Sequence, residues 1–258
     1  MLTYKNVNRI SILFLLVLIL LKIVYSFSLL WINLLILVWV TLAAIGSFHI
    51  RWNYFLKAKH SNYSEKQNDI AITFDDGPHP EFTPKVLRLL EKHQAKATFF
   101  LIGNQIEKHS NLVFEIINQG HTIGNHTYSH TNNFGFLKTK EVISDLEKNN
   151  DLVKKMFQKT MKLFRPAFGV TNPRIAKAVK KLNLETIGWS VRSLDTTKDS
   201  KEKVFTRITK NLKKGDVVLL HDTSKKSLKV LEQLLLFMEK KKLKSVTIDQ
   251  LLNCKAYA

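Results

Sequence analysis

A few short runs of the 258-residue chain carry side chains that could do chemistry together. Asp75-Asp76-Gly77 sets two carboxylates side by side. Adjacent negative charges repel, and one relief is a cation bound by one of them, which leaves the other free to accept a proton. Taken alone, the same run also fits an exposed Asp-Gly turn. His126-Thr127-Tyr128-Ser129-His130 spaces two imidazoles four residues apart, which on a helical turn puts both on one face, as a divalent metal requires. With a strand-end carboxylate they make a two-His, one-carboxylate set that leaves positions open for water and substrate. Zinc is the default occupant, although iron, cobalt and manganese also accept such geometry. Arg165, Asp195 and His221-Asp222 complete the candidates.

The elements that must bring these residues together are visible as a pattern. From residue 69 onward, short apolar runs alternate with amphipathic stretches. Strands are expected at 70–74, 97–102, 121–124, 163–165, 185–190, 217–221 and 245–247. Helices are expected at 84–93, 111–119, 141–157, 173–182, 202–212 and 228–240. Thr83 before Pro84 reads as an N-cap with proline in the first helical position, and Gly120 reads as a helix stop. Such alternation implies a parallel sheet, either open or closed into a barrel. Functional groups in these folds collect at the carboxyl edge of the sheet. Asp75-Asp76, His126, His130, Arg165, Asp195 and His221 all fall where predicted strands end.

Together these motifs resemble the polysaccharide deacetylase family, the NodB-homology domain. Thr73-Phe74-Asp75-Asp76-Gly77-Pro78-His79 matches the first motif in full, and His126 to His130 the second. Phe164-Arg165-Pro166-Ala167-Phe168-Gly169 is similar to the third, with Ala167 and Phe168 where proline and tyrosine are usual. Leu219-Leu220-His221-Asp222 matches the fifth. The fourth, Trp189 to Thr196, keeps Asp195 but has Arg192 where aspartate is common and Thr196 where tryptophan is usual. The resemblance spans about residues 69–252. It implies an α/β fold, a distorted (β/α) barrel of about seven parallel strands, and a metal-dependent hydrolase that removes an N-acetyl group from an amino sugar in a glycan or glycolipid. It also implies roles: Asp76, His126 and His130 as metal ligands, Asp75 as general base oriented by Arg165, and His221 as general acid supported by Asp195. Two other functions fit the same residues, namely hydrolysis of another acyl-amide such as an N-formyl group, and an inactive glycan-binding membrane protein. His79 is expected to border the cleft, Trp189 to belong to the core, and His121 to be structural. His49, His60, His93 and His109 are expected at the surface.

Composition limits the remaining possibilities. Hydrophobic residues make up 45% of the chain and charged residues 24%, which excludes a disordered protein. The single cysteine, Cys254, excludes an internal disulfide framework and a cysteine-rich zinc site. The net charge of +19 invites a nucleic-acid reading. No zinc-finger spacing or RNP-like aromatic run supports it, and the surplus lies mostly on lysine-rich helical faces. Residues 1–64 contain no acid, and residues 10–50 carry only Lys22 as a formal charge. The spans at 10–25 and 29–50 are long enough for a hydrocarbon core of roughly 30 Å. The expected organisation is therefore a membrane anchor at 1–56 made of two transmembrane helices, a polar connector at 57–68, and a catalytic domain at 69–254. Lys5 and Arg9 flank the first span, and Arg51, Lys57 and Lys59 follow the second, so the positive-inside tendency favours both ends in the cytoplasm. Alkaline phosphatase fused after Ala258 tests this: low activity is expected, and strong activity, which requires export, reverses the orientation.

Overall fold

The computed structural model describes residues 2–26 and 28–258. Two helices, α1 (Tyr4–Tyr25) and α2 (Leu29–Phe48), are each long and apolar enough to cross a membrane. They pack side by side, and Trp39 Nε1 donates to Asn8 Oδ1 at 2.8 Å. Leu13, Leu16, Leu20, Leu30 and Leu37 all point outward, giving a surface that suits hydrocarbon and not water.

The rest of the chain alternates strands and helices. The strands are β1 (Ala58–Lys59), β2 (Asp69–Asp75), β3 (Ala97–Leu101), β4 (Thr122–Asn125), β5 (Leu163–Phe164), β6 (Glu185–Ile187), β7 (Val191–Arg192), β8 (Val217–His221) and β9 (Lys244–Ser245). The helices are α3 (Thr83–Lys92), α4 (Gly103–Lys108), α5 (Ser110–Asn118), α6 (Thr139–Phe157), α7 (Pro173–Lys181), α8 (Lys201–Thr209), α9 (Lys225–Lys240) and α10 (Ile248–Leu252). All strand pairings are parallel, in the order β1-β6-β5-β4-β3-β2-β8-β7, with β9 beside the start of β2. The strand expected at 185–190 stops at Ile187, as β6, and β7 follows it as a separate two-residue strand. β6 pairs with β5 and β7 with β8, so this one stretch curls the sheet into a distorted, incompletely closed (β/α) barrel.

Period-two alternation decides what the barrel mouth contains. On β2, Ile70, Ile72 and Phe74 pack outward under the helices with Phe99, Leu101, Val218 and Leu220. Ala71 joins the inner cluster with Phe100, Leu163, Ile187, Trp189, Val217 and Leu219. Thr73 and Asp75 continue the inward series, as His221 does on β8 and Arg165 just after β5. The register then sets Asp75 beside Phe100 on one side and His221 on the other.

Two local expectations are corrected, and the connector proves to be paired. Thr83 is not the cap of α3 but its first residue, after Phe82, because its hydroxyl is engaged with Asp222 and accepts from His79 N at 2.7 Å. The His126–His130 segment is not helical. It is a loop with Thr127 (φ 69°) and His130 (φ 47°) in the left-handed region. The polar connector is not loose: Ala58 and Lys59 pair with Thr186 and Ile187, and Asn62 N donates to Gly215 O at 2.8 Å.

Gly215 opens β8 with φ 82°, and a Cβ there would lie 2.1 Å from Asn62 O. Both backbone strain and the clash oppose any side chain. Gly215→Ala is expected to destabilise the fold by about 1–3 kcal/mol, read as a lower denaturation midpoint with an unchanged slope.

Candidate active site

Arg165 is fully buried at the barrel mouth, and its donors are used. One terminal nitrogen donates to Asp75 Oδ1 and to Thr73 Oγ1, both at 2.7 Å. The other donates to Gly188 O at 3.0 Å, and Nε to Ile187 O at 3.3 Å. The guanidinium lies 4.1 Å from the centre of the Phe100 ring. Asp75 is thereby held on one oxygen, and its other oxygen faces His126 Nε2 at 3.9 Å.

Asp76 has φ 73°, an uncommon conformation for a non-glycine residue that turns its carboxylate back into the cleft. Gly77 follows because Asp222 presses on it: a Cβ there would sit 2.5 Å from the Asp222 carboxylate. Asp76 Oδ1 lies 3.4 Å from His126 Nε2 and 3.3 Å from His130 Nε2, and Oδ2 lies 3.8 Å from His221 Nε2. Burial works against its charge, but hydrogen bonding to His126 and the surrounding imidazoles outweigh burial and hold the carboxyl well below the usual range.

The histidine loop is fixed from beneath. His126 N donates to Leu101 O at 3.1 Å, and His126 Nδ1 bonds Arg165 O at 2.9 Å. That second bond uses the Nδ1 proton, so Nε2, which faces Asp76, is the nitrogen that would turn its lone pair to a cation. His130 Nε2 is buried, and among the described residues it makes no hydrogen bond beyond the 3.3 Å approach of Asp76 Oδ1. Thr127 N donates to Asn125 Oδ1, and the buried Asn149 amide donates to Leu101 O and Thr127 O. Asp145 accepts from the backbone of Tyr128 and Ser129.

A metal's fit to this set can be judged from its donor atoms. Asp76, His126 and His130 each offer one, all within 4.8 Å of one another. A pre-set Nε2 lone pair, an orphaned buried Nε2 and an ionised carboxylate oxygen suit a divalent cation.

On the opposite wall, His221 Nδ1 bonds Asp195 Oδ1 at 2.8 Å, and His221 N donates to Asp195 Oδ2 at 2.9 Å. Ser193 and Ser227 hydroxyls also donate to Asp195 at 2.8 and 2.7 Å. Burial disfavours the imidazolium, but the bond to Asp195 and its charge prevail and push His221 up to about 9. Asp222, next in the chain, is buried, and burial pushes it up to about 7 against the hydrogen bond from Thr83.

The cleft is lined by Asp75, Asp76, His126, His130 and His221 together with Phe168, Trp189, Arg192, Leu194 and Thr196. Every candidate from the sequence is thus in one place, with Arg165 and Asp195 one layer behind. Trp189 is both buried and part of the wall. His79 does not line this cleft; its Nδ1 accepts from the backbone of Glu81 and Phe82. His121 is structural: Ala97 N donates to its Nδ1 at 3.2 Å, and burial pushes it down to about 4. His93, expected at the surface, is half-buried and pairs with Glu239 at 2.6 Å. Sequence reasoning missed Thr73, Asp145, Asn149 and Ser227. Asn149 left a signal, as a polar residue in the buried helical series Val142, Leu146, Asn149, Val153.

A parallel barrel with carboxylates and imidazoles gathered at its carboxyl mouth is the architecture of a hydrolase, and known proteins narrow the class. The polysaccharide deacetylase profile matches residues 62–187. A peptidoglycan-N-acetylglucosamine deacetylase of Bacillus cereus is 37% identical over 196 residues, covering 72% of this chain and 89% of that protein. The peptidoglycan-N-acetylmuramic acid deacetylase PdaA of Bacillus subtilis is 31% identical, covering 72% of each chain. The crystal structure of the Bc1960 peptidoglycan N-acetylglucosamine deacetylase superposes with a TM-score of 0.72 at 32% identity, over 77% of this chain and 94% of that one. The chain belongs to the polysaccharide deacetylase family, hydrolases of N-acetyl amide bonds in carbohydrates.

The His221–Asp195 pair gives a titration with a defined sign. Its folded value is raised, so the pair's stabilisation is complete below the unfolded imidazole value of about 6.5 and is lost as pH rises through about 9. Imidazole NMR on metal-stripped protein is expected to place His221 well above His121, and Asp195→Asn to move it down sharply. An unmoved His221 titration in Asp195→Asn would remove Asp195 as the cause.

Proposed function

We propose that the chain is a metal-dependent N-deacetylase of an N-acetylated amino sugar in a peptidoglycan-type glycan, with the metal held by Asp76, His126 and His130. The observation that carries this reading is the meeting of those three donor atoms, turned toward one point, with Asp75 and His221 in a single cleft. A divalent cation bound there, zinc by default, supplies Lewis acidity toward the acetyl carbonyl and lowers the pKa of water. Asp75 takes the proton from the attacking water. Arg165 orients Asp75 through a buried hydrogen bond at 2.7 Å. His221 enters the reaction as imidazolium and protonates the leaving amine, while Asp195 holds its ring and favours its charge. Trp189 and Phe168 wall the acetyl-bearing sugar, and the Phe168 ring lies tilted against His130 with ring centres 4.7 Å apart.

The names of the relatives support a peptidoglycan amino sugar as substrate class. We further infer that residues 1–56 anchor the enzyme in a membrane as a hairpin. A cytoplasmic domain then calls for a lipid-linked amino sugar, and an exported domain for the assembled wall, so the phosphatase fusion also selects between these substrates.

Acetate release and metal content measured together test the division of labour. Asp75→Asn is expected to retain metal and lose roughly 10²–10⁴-fold in turnover, the range for a general base. His126→Ala is expected to lose metal and turnover together. Substantial turnover in Asp75→Asn would remove it from the base role, and full metal binding in His126→Ala would dismantle the ligand set.

A further inference from the structure

We propose that Arg192 forms an anion subsite in the catalytic cleft, so that the preferred amino-sugar substrate carries a carboxylate or phosphate close to its N-acetyl group. This inference rests on the deacetylase reading above and names the substrate class within it.

Arg192 ends β7, opposite Leu219 on β8. Val191 packs outward against the helices, so alternation turns Arg192 to the opposite side, where it stands exposed at the mouth of the barrel. There it lines the cleft with Leu219, Trp189 and Thr196. Its guanidinium carbon lies 5.5 Å from the centre of the Trp189 ring, within cation–π range. Among the described residues no carboxylate lies within ion-pair distance of it. The other charges of the site are already matched: Asp75 by Arg165, and Asp76 by the imidazoles around it. Arg192 therefore contributes a cation with no internal partner, aimed into the space where substrate lies.

Its placement suits recognition of a substituent next to the reacting group. Strands spaced about 4.8 Å apart, with a rise of about 3.3 Å per residue, put the Arg192 Cα roughly 8 Å from that of His221. Guanidinium presents a planar fork of donors that matches carboxylate and phosphate oxygens. The neighbouring chain is shaped to leave it room. Leu194 adopts φ 58° and turns into the cleft while Ser193 and Asp195 stay buried behind it. Thr196 then presents a small side chain and a hydroxyl where the family usually has tryptophan.

The test uses the full chain in detergent with zinc. Three substrates are compared: a neutral N-acetylglucosamine oligomer, a glycan with a carboxylate ether on alternate sugars, and an N-acetylglucosamine phosphate monoester. Wild-type kcat/KM is expected to favour at least one anionic substrate, and which one it favours distinguishes carboxylate from phosphate. Arg192→Ala is expected to lower the anionic-to-neutral ratio roughly ten- to hundredfold, mainly through KM, and Arg192→Lys to recover part of it. Binding of the same three compounds is measured by calorimetry in the Asp75→Asn background, with and without Arg192→Ala. An anionic-to-neutral ratio that Arg192→Ala leaves unchanged, or a wild-type preference for the neutral oligomer, overturns the subsite. Absence of acetate from every substrate overturns the deacetylase reading instead, and the binding ratios still decide Arg192.

Discussion

The arrangement of the cleft depends on burying one guanidinium. Arg165 has no exposed surface, and an unpaired charge at that depth costs several kcal/mol or more. The fold meets this cost by bringing four groups to it: the Asp75 carboxylate, the Thr73 hydroxyl and the carbonyls of Ile187 and Gly188. Those partners lie on β2 and on the stretch that turns from β6 toward β7. The same cation thus holds the Asp75 carboxylate and ties the two sides of the incompletely closed barrel. Its own carbonyl accepts the His126 ring proton, so the arginine backbone also selects the tautomer of a candidate metal ligand. Removing either partner of a buried pair of this kind leaves the other uncompensated, which is typically a loss of about 3–5 kcal/mol.

Two carboxylates that adjoin in sequence are given opposite duties by their surroundings. Asp75 sits on the last strand position, pointing inward, and meets a guanidinium. Asp76 is swung round by a left-handed backbone and meets three imidazoles. The mutual repulsion that makes an Asp-Asp pair costly is thereby spread over separate counter-charges. Behind His221, Asp195 accepts from two serine hydroxyls, the His221 backbone and the ring. A fully satisfied carboxylate does not wander, and this is why a single hydrogen bond can set the ring's orientation and raise its proton affinity together.

Much of this was legible in the residues, and the rest was hidden for identifiable reasons. Strand ends located Asp75, Arg165 and His221 because period-two alternation and the βα pattern both survive in a single sequence. The histidine spacing suggested a helical turn, whereas the protein builds a left-handed loop. Spacing reports proximity, and the backbone that achieves it depends on Asn125, Asp145 and Asn149, residues far from the motif along the chain. Thr83 looked like a helix cap because its competing partner, Asp222, lies 139 positions away. The two-residue strand β1 and the short helices α4 and α10 are below the length at which periodicity means anything.

The hairpin helices are joined to the cleft more closely than a tethering role requires. Thr171 N donates to Ser47 O at 2.9 Å, and Arg51 donates to Ser190 O at 3.3 Å. Ile50 packs in the same cluster as Trp189. Residues 167–171 and 188–190, which these bonds grip, flank or form the wall carrying Phe168 and Trp189. A flexible leash would let the cleft range over a distance set by its length. Here the end of α2 is bonded to the loops beside the catalytic residues, so the cleft's position follows from that of the helices.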